Sequence, residues 1–213
     1  MEKQPERTRQ VLVDAAASLI AAGGPADAGL VNICRVAEVS RGALYHHFPS
    51  VAQLVGEVYR QARDRVDVLA CEAFQGERAG APERFSVGLG VMLEADELVR
   101  AGMQVGPDGA NGAARLREEV LAGLRERIVA GAPEDVDMRG IADLAVVVTA
   151  GLVSLGHTDA RWWDSGAAER VWALVRPMFA VAGWLSGPPA PPGRVCCPAE
   201  VPETSGGERS SRG

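Results

Sequence analysis

Apolar residues recur along this chain with the period of an α-helix and almost nowhere with the period of a strand. Leu12, Ala15, Ala16, Leu19 and Ile20 fall at i, i+3, i+4, i+7 and i+8, which lines one helical face. Gly23, Gly24 and Pro25 end that segment, because two glycines and a proline cannot continue the ladder cheaply. A short helix follows with Leu30, Ile33, Cys34 and Ala37 on one side. A second short one runs from Arg41 to about His47 behind Ser40, a good N-cap, and stops at Pro49. Ser50 and Gln53 form a capping box that opens a long helix, with Val55, Val58, Tyr59, Ala62, Val66 and Leu69 on one stripe.

Beyond Gly76 the pattern predicts a helix from Pro82 to about Met103, a turn-rich loop over Gly106–Gly112, and a helix from Ala113 to Ala130. The last of these carries Leu116, Val120, Leu121, Leu124 and Ile128 on one face. Gly131, Ala132 and Pro133 break it, and Asp137 then caps a strongly apolar helix to about Gly156. A final helix runs from about Gly166 to Trp184, bent or interrupted near Pro177. From Ser186 onward Pro, Gly, Ser and Glu dominate without periodicity, which predicts a disordered tail over residues 186–213. The expected sum is about nine helices: three short ones with a connector, then a larger bundle.

A hydrophobic content of 47% beside 23% charge suits a folded globular chain and excludes a disordered one. The net charge of −6 offers no broad basic field for nucleic acid. Through Ser50, the basic Lys3, Arg7, Arg9, Arg35 and Arg41 cancel the acidic Glu2, Glu6, Asp14, Asp27 and Glu38, so DNA binding would rest on placed contacts. The charged start MEKQPERTRQ predicts no signal peptide. The apolar run Leu144–Gly156 is shorter than the roughly 20 residues of a membrane span, so a cytoplasmic protein without membrane contact is expected. Cys34, Cys71, Cys196 and Cys197 show no metal-ligand spacing and read as free thiols. No phosphate loop, nucleophile elbow or paired-carboxylate arrangement emerges, which argues against an enzyme and predicts neither metal nor cofactor.

The two short helices joined through Ala37, Glu38, Val39 and Ser40 form a helix-turn-helix pattern, in which the first helix braces a second that enters the major groove. Leu44 and Phe48 would face the core, leaving Ser40, Arg41, Gly42, Ala43, Tyr45, His46 and His47 as the DNA-binding set. Gly42 and Ala43 allow close approach to base edges, Arg41 suits guanine or phosphate, and Tyr45 and the histidines suit phosphate oxygens.

At these residues the sequence resembles the tetracycline-repressor (TetR) family of bacterial regulators, through the stretch VAEVSRGALYHHFPSVAQL from Val36 to Leu54. The resemblance covers roughly Arg7 to Val66. It implies an all-α homodimer: an N-terminal three-helix helix-turn-helix head over residues 7–66, and a larger C-terminal ligand-binding and dimerisation bundle over residues 67–185. Four positions depart from the family pattern. Glu38 stands where Gly is usual, in a turn favouring positive φ. Val51 replaces a phosphate-contacting Lys, and Ala28 and Gly29 replace the usual Thr or Ser cap of the second helix. A shorter stretch, DELVRAGMQVG from Asp96 to Gly106, is similar to the γ-butyrolactone receptor branch. That implies a diffusible signal and control of antibiotic production. The pocket Trp of such receptors is missing from the Ala113–Arg117 region, which leaves open a pseudo-receptor that recognises another molecule, such as the pathway's antibiotic, or none.

A small apolar effector inside the bundle would meet Met92, Leu98, Met103, Val148 and Trp162, with Gln104 and Thr149 as polar handles; ordinary core packing explains the same residues. The two last apolar helices would form a four-helix dimer seam, setting two heads about 34 Å apart on a pseudo-palindromic double-stranded operator. An interaction protein that keeps the fold without DNA binding is the alternative.

Overall fold

A computed structural model describes residues 4–107, 115–130 and 138–181. Among them are nine α-helices and no β-strand: α1 (Gln4–Gly23), α2 (Leu30–Val36), α3 (Arg41–His47), α4 (Val51–Ala73), α5 (Ala81–Ala95), α6 (Glu97–Gly102), α7 (Leu116–Ala130), α8 (Arg139–Gly156) and α9 (Ser165–Val181). The expected tail, Cys196, Cys197, the Asp137 cap, the end near Trp184 and most of the 106–112 loop lie outside the described residues.

The periodic faces become the core. Leu12, Ala16 and Ile20 of α1 are buried against Ile33 of α2 and Leu44 of α3. Gly24, at φ 94°, turns the chain out of α1. The stripe on α4 buries Val55, Val58, Tyr59, Ala62 and Val66. The boundary expected at residue 66 falls inside α4, and one continuous buried cluster runs from α1 to α9. α4 is therefore the shared beam of head and body. α6 lies across it at close range: a Cβ at Gly102 would sit 2.2 Å from the Cβ of Ala62, so only glycine permits this crossing.

Three expectations change. The single helix expected from Pro82 to Met103 is two helices, because the Asp96 side chain accepts the N–H groups of Leu98 and Val99 and starts α6. The final helix continues through Pro177 to Val181. The apolar helix is longer than the run that flagged it: Arg139–Gly156 is an 18-residue helix of mean hydropathy 1.5, long and apolar enough by those two measures to cross a membrane. It is instead wedged into the bundle through Ala142, Ala145, Thr149, Leu152 and Val153. Only 33% of it is buried within this chain, however, and it exposes Val147 and Leu155, while α9, which also touches α8, exposes Leu174 and Met178.

A candidate nucleic-acid interface

The turn before α3 is built from local chemistry. Val39 N–H donates to the Cys34 carbonyl (3.1 Å) and Glu38 N–H to the Arg35 carbonyl (3.4 Å), the paired bonds of a Schellman ending for α2. That ending needs one left-handed residue, and Glu38 supplies it at φ 54°. α2 itself begins at Gly29 without a side-chain cap. Ala43 N–H donates to Ser40 Oγ (3.1 Å), which fixes the start of α3. The hydroxyl proton of Ser40 stays available to a phosphate. At the next helix, Gln53 N–H donates to Ser50 Oγ (3.2 Å) without a reciprocal bond from the Gln53 side chain, so half of the expected capping box forms.

With Leu44 and Phe48 buried, α3 turns its other side outward. Ser40, Arg41, Gly42, Tyr45 and His46 are exposed; Ala43 and His47 are half-buried. The two imidazoles meet edge to face at 5.2 Å. The structure thus brings the sequence-derived DNA set onto one surface.

A polar anchor behind that surface was not legible in the sequence. The Arg9 guanidinium lies 4.8 Å from the Phe48 ring centre and pairs with Glu57 of α4 at 2.9 Å. Glu57 also receives Arg60 and, at 2.8 Å, the Gln61 amide. Burial alone would raise the Glu57 pKa, but the bonds from Arg9, Arg60 and Gln61 outweigh it and hold the carboxyl at about 2, against an ordinary 4.5. The folded state therefore binds this proton more weakly than the unfolded chain. Its stabilisation is complete above pH 4.5 and is lost as pH falls toward 2. Glu57→Gln should cost about 1–3 kcal/mol at pH 7, and the gap to wild type should close in urea melts taken at progressively lower pH across that window.

The residues expected to line an effector pocket are scattered. Leu98, Met103 and Thr149 are core. Met92 and Val148 pack against it half-buried, Gln104 donates to the Arg100 carbonyl, and Trp162 sits half-open in a short 3-10 turn. None of the seven lines either of the two cavities described here. One, of about 350 Å³ between α4, α5 and α7, is rimmed by Arg63, Asp67, Glu119, Glu126 and Arg127; so many charges suit an apolar guest poorly. Its Glu119 accepts the Tyr59 hydroxyl at 2.7 Å, tying α7 to α4. The second, about 720 Å³, is an open groove between α5 and α9. No cluster of His, Cys, Asp or Glu able to hold a metal occurs among the described residues.

The family profile described as bacterial regulatory proteins of the tetR family matches residues 12–58, the whole of this interface. The head over these residues is of the tetR type. In its order along the chain α3 holds the place of the recognition helix in such heads, and regulators of the tetR family are DNA-binding transcription factors, not enzymes. The HTH-type transcriptional regulator AcrR of Shigella flexneri is 30% identical over 81 residues, 38% of this chain; the match spans 37% of that protein's length. Three solved structures share the fold. A gamma-butyrolactone receptor (ArpA-like protein) has TM-score 0.63 at 22% identity, covering 86% of this chain and 95% of that one. CprB from Streptomyces coelicolor, in complex with its operator, has 0.62 at 21%, covering 86% and 95%. NalD, a repressor of the MexAB-OprM multidrug efflux pump in Pseudomonas aeruginosa, has 0.60 at 21%, covering 82% and 95%.

Proposed function

We propose that this protein is a homodimeric, ligand-responsive transcriptional repressor acting on chromosomal DNA in the cytoplasm. One observation carries the reading: on α3 the fold uses one side for the core and leaves Arg41, Gly42, Tyr45 and His46 without a structural task. Gly42 is the sharpest case. A Cβ there would meet only Ser40 Oγ at 3.8 Å, an ordinary contact. Nothing within the chain requires glycine, whereas a base edge pressed against the helix would. Ser40, Ala43 and His47 complete the contact surface toward phosphates.

The open side of α8 and α9 supports the dimer. Val147, Leu155, Leu174 and Met178 form an apolar face that a symmetry mate covers with the same residues. The effector is a small, largely apolar molecule held in the C-terminal bundle, around the core residues Leu98, Met103 and Thr149, the half-buried Met92, Gln104 and Val148, and the partly exposed Trp162. The likeness to gamma-butyrolactone receptors and the Asp96–Gly106 stretch favour a lactone-like or antibiotic-like signal and a role in secondary metabolism. The effector releases DNA by favouring a head separation that misses successive major grooves.

A second reading, a fold-retaining interaction protein, draws on the uncapped α2 and on Val51 at the start of α4. Selection of host genomic fragments on the purified protein separates the two. A single enriched palindrome at nanomolar affinity supports the repressor; recovery of fragments without a common site overturns it.

A further inference from the structure

α3 spans only Arg41–His47, about 10 Å at 1.5 Å per residue, so few side chains fix its orientation. Leu44 anchors its middle and Phe48 its end, and both are buried. Phe48 N–H donates to the Leu44 carbonyl at 2.8 Å, which ties Phe48 to the last turn of α3. Where the Phe48 ring seats, that end of the helix follows.

Part of that seat is a guanidinium. Arg9 of α1 lies 4.8 Å from the Phe48 ring centre, within cation–π range. Its two terminal nitrogens meet the two carboxylate oxygens of Glu57, at 3.1 and 2.9 Å, the forked geometry that fixes a guanidinium plane. Glu57 is buried on α4 and accepts also from Arg60 Nε at 3.2 Å and from the Gln61 amide at 2.8 Å. Gln61 and Gln10 exchange two amide hydrogen bonds, at 3.3 and 3.2 Å. Arg9 and Gln10 of α1 therefore form one polar net with Glu57, Arg60 and Gln61 of α4, and its edge is the Phe48 ring. Stability alone does not call for charge at this seam, because apolar side chains of similar volume commonly hold two helices as well as a buried ion pair does. What a forked pair adds is a fixed angle.

We propose that Arg9 and Glu57 are positioning residues for operator recognition: the Glu57 carboxylate orients the Arg9 guanidinium, whose flat face seats Phe48 and so sets the pitch of α3 in the major groove. This inference rests on the repressor reading above and gives a task to two residues outside the exposed face of α3. Hydrogen bonds to base edges weaken steeply when distance or angle departs from the optimum. Phosphate contacts carry no sequence information, and those made by long side chains follow a displaced helix. Loss of the anchor therefore removes discrimination between sequences and leaves general DNA affinity in place. Glu57 is buried, so an effect of its substitution on recognition passes through the residues it holds.

The test measures two affinities of the full chain by fluorescence anisotropy across a salt series. One probe is the palindrome enriched from host genomic fragments; the other is a scrambled duplex of the same length. Arg9→Ala and Glu57→Gln should each weaken the palindrome at least about tenfold, with scrambled-duplex affinity and both salt dependences unchanged. The double variant should bind no more weakly than the worse single one, because the two residues act in series. Arg9→Lys keeps the charge without the fork or the flat face. It should lose discrimination too, and with Glu57→Gln it decides the matter even if Arg9→Ala fails to fold. Circular dichroism well below the melting temperature identifies the folded variants. Wild-type discrimination in folded variants makes the anchor structural only and overturns the proposal. Equal losses on both duplexes with a shallower salt dependence overturn it as well, by making Arg9 a phosphate contact. Losses that add in the double variant do so by giving the two residues separate roles. These outcomes leave the repressor reading standing, whereas the enrichment of no palindrome removes that reading and this inference with it.

Discussion

Leu174→Glu is expected to give a folded monomer that no longer retards operator DNA. Leu174 is 82% exposed, more than any other large apolar side chain among the described residues, and Val147 on the adjoining α8 is 67% exposed. In a symmetric dimer each seam residue counts twice. Burying a leucine is worth about 1.5–3 kcal/mol, and a carboxylate in its place must be desolvated near its own symmetry mate. The dimer dissociation constant should rise at least about a hundredfold, since each 1.4 kcal/mol is roughly a factor of ten. Sedimentation equilibrium reads the mass and circular dichroism the helix content. The side chain touches little within its own chain, so helicity at low temperature should be unchanged. A variant that remains a dimer places the interface elsewhere and removes the paired-head account of operator binding.

Gly42→Ala should separate folding from recognition. Alanine is the better helix former, and its Cβ meets no obstacle at this position, so stability should be unchanged or higher by about 0.5–1 kcal/mol. Operator affinity should nevertheless fall, because the added methyl group holds α3 off the base edges. Arg41→Ala should cost about 1–3 kcal/mol at each half-site if the guanidinium reads a guanine, or roughly ten- to hundredfold per head. A loss equal on all sequences, with a shallower salt dependence, assigns Arg41 to phosphate instead. Tyr45→Phe removes one hydroxyl from an exposed ring and should weaken all sequences alike. If Gly42→Ala and Arg41→Ala both bind as wild type, α3 is not the reading helix.

Much of the head was legible because its determinants are local. Ser40 sits three residues before the N–H it caps, and the turn after α2 demands a left-handed residue, so Glu38 could be singled out from its neighbours alone. The apolar faces of α1 and α4 repeat at helical spacing and became core almost position for position. The break at Asp96 was local too, but its cap competed with an apolar pattern running straight through it, and the pattern dominated the reading.

What escaped depends on contacts between distant segments. Glu57 reads as a surface acid on an amphipathic helix until α1 brings Arg9, 48 residues away, onto it. Glu83 and Arg176, 93 residues apart, meet only because α5 and α9 pack together. Five of the seven positions chosen for an effector pocket are apolar, a character that core and pocket residues have in common, and composition cannot divide them. Helical period, caps and turn residues act within a few residues and therefore write the elements and the exposed face of α3 into the sequence. Which helix faces meet and which stay exposed are settled only when the helices cross, because those energies belong to pairs of residues far apart in the chain.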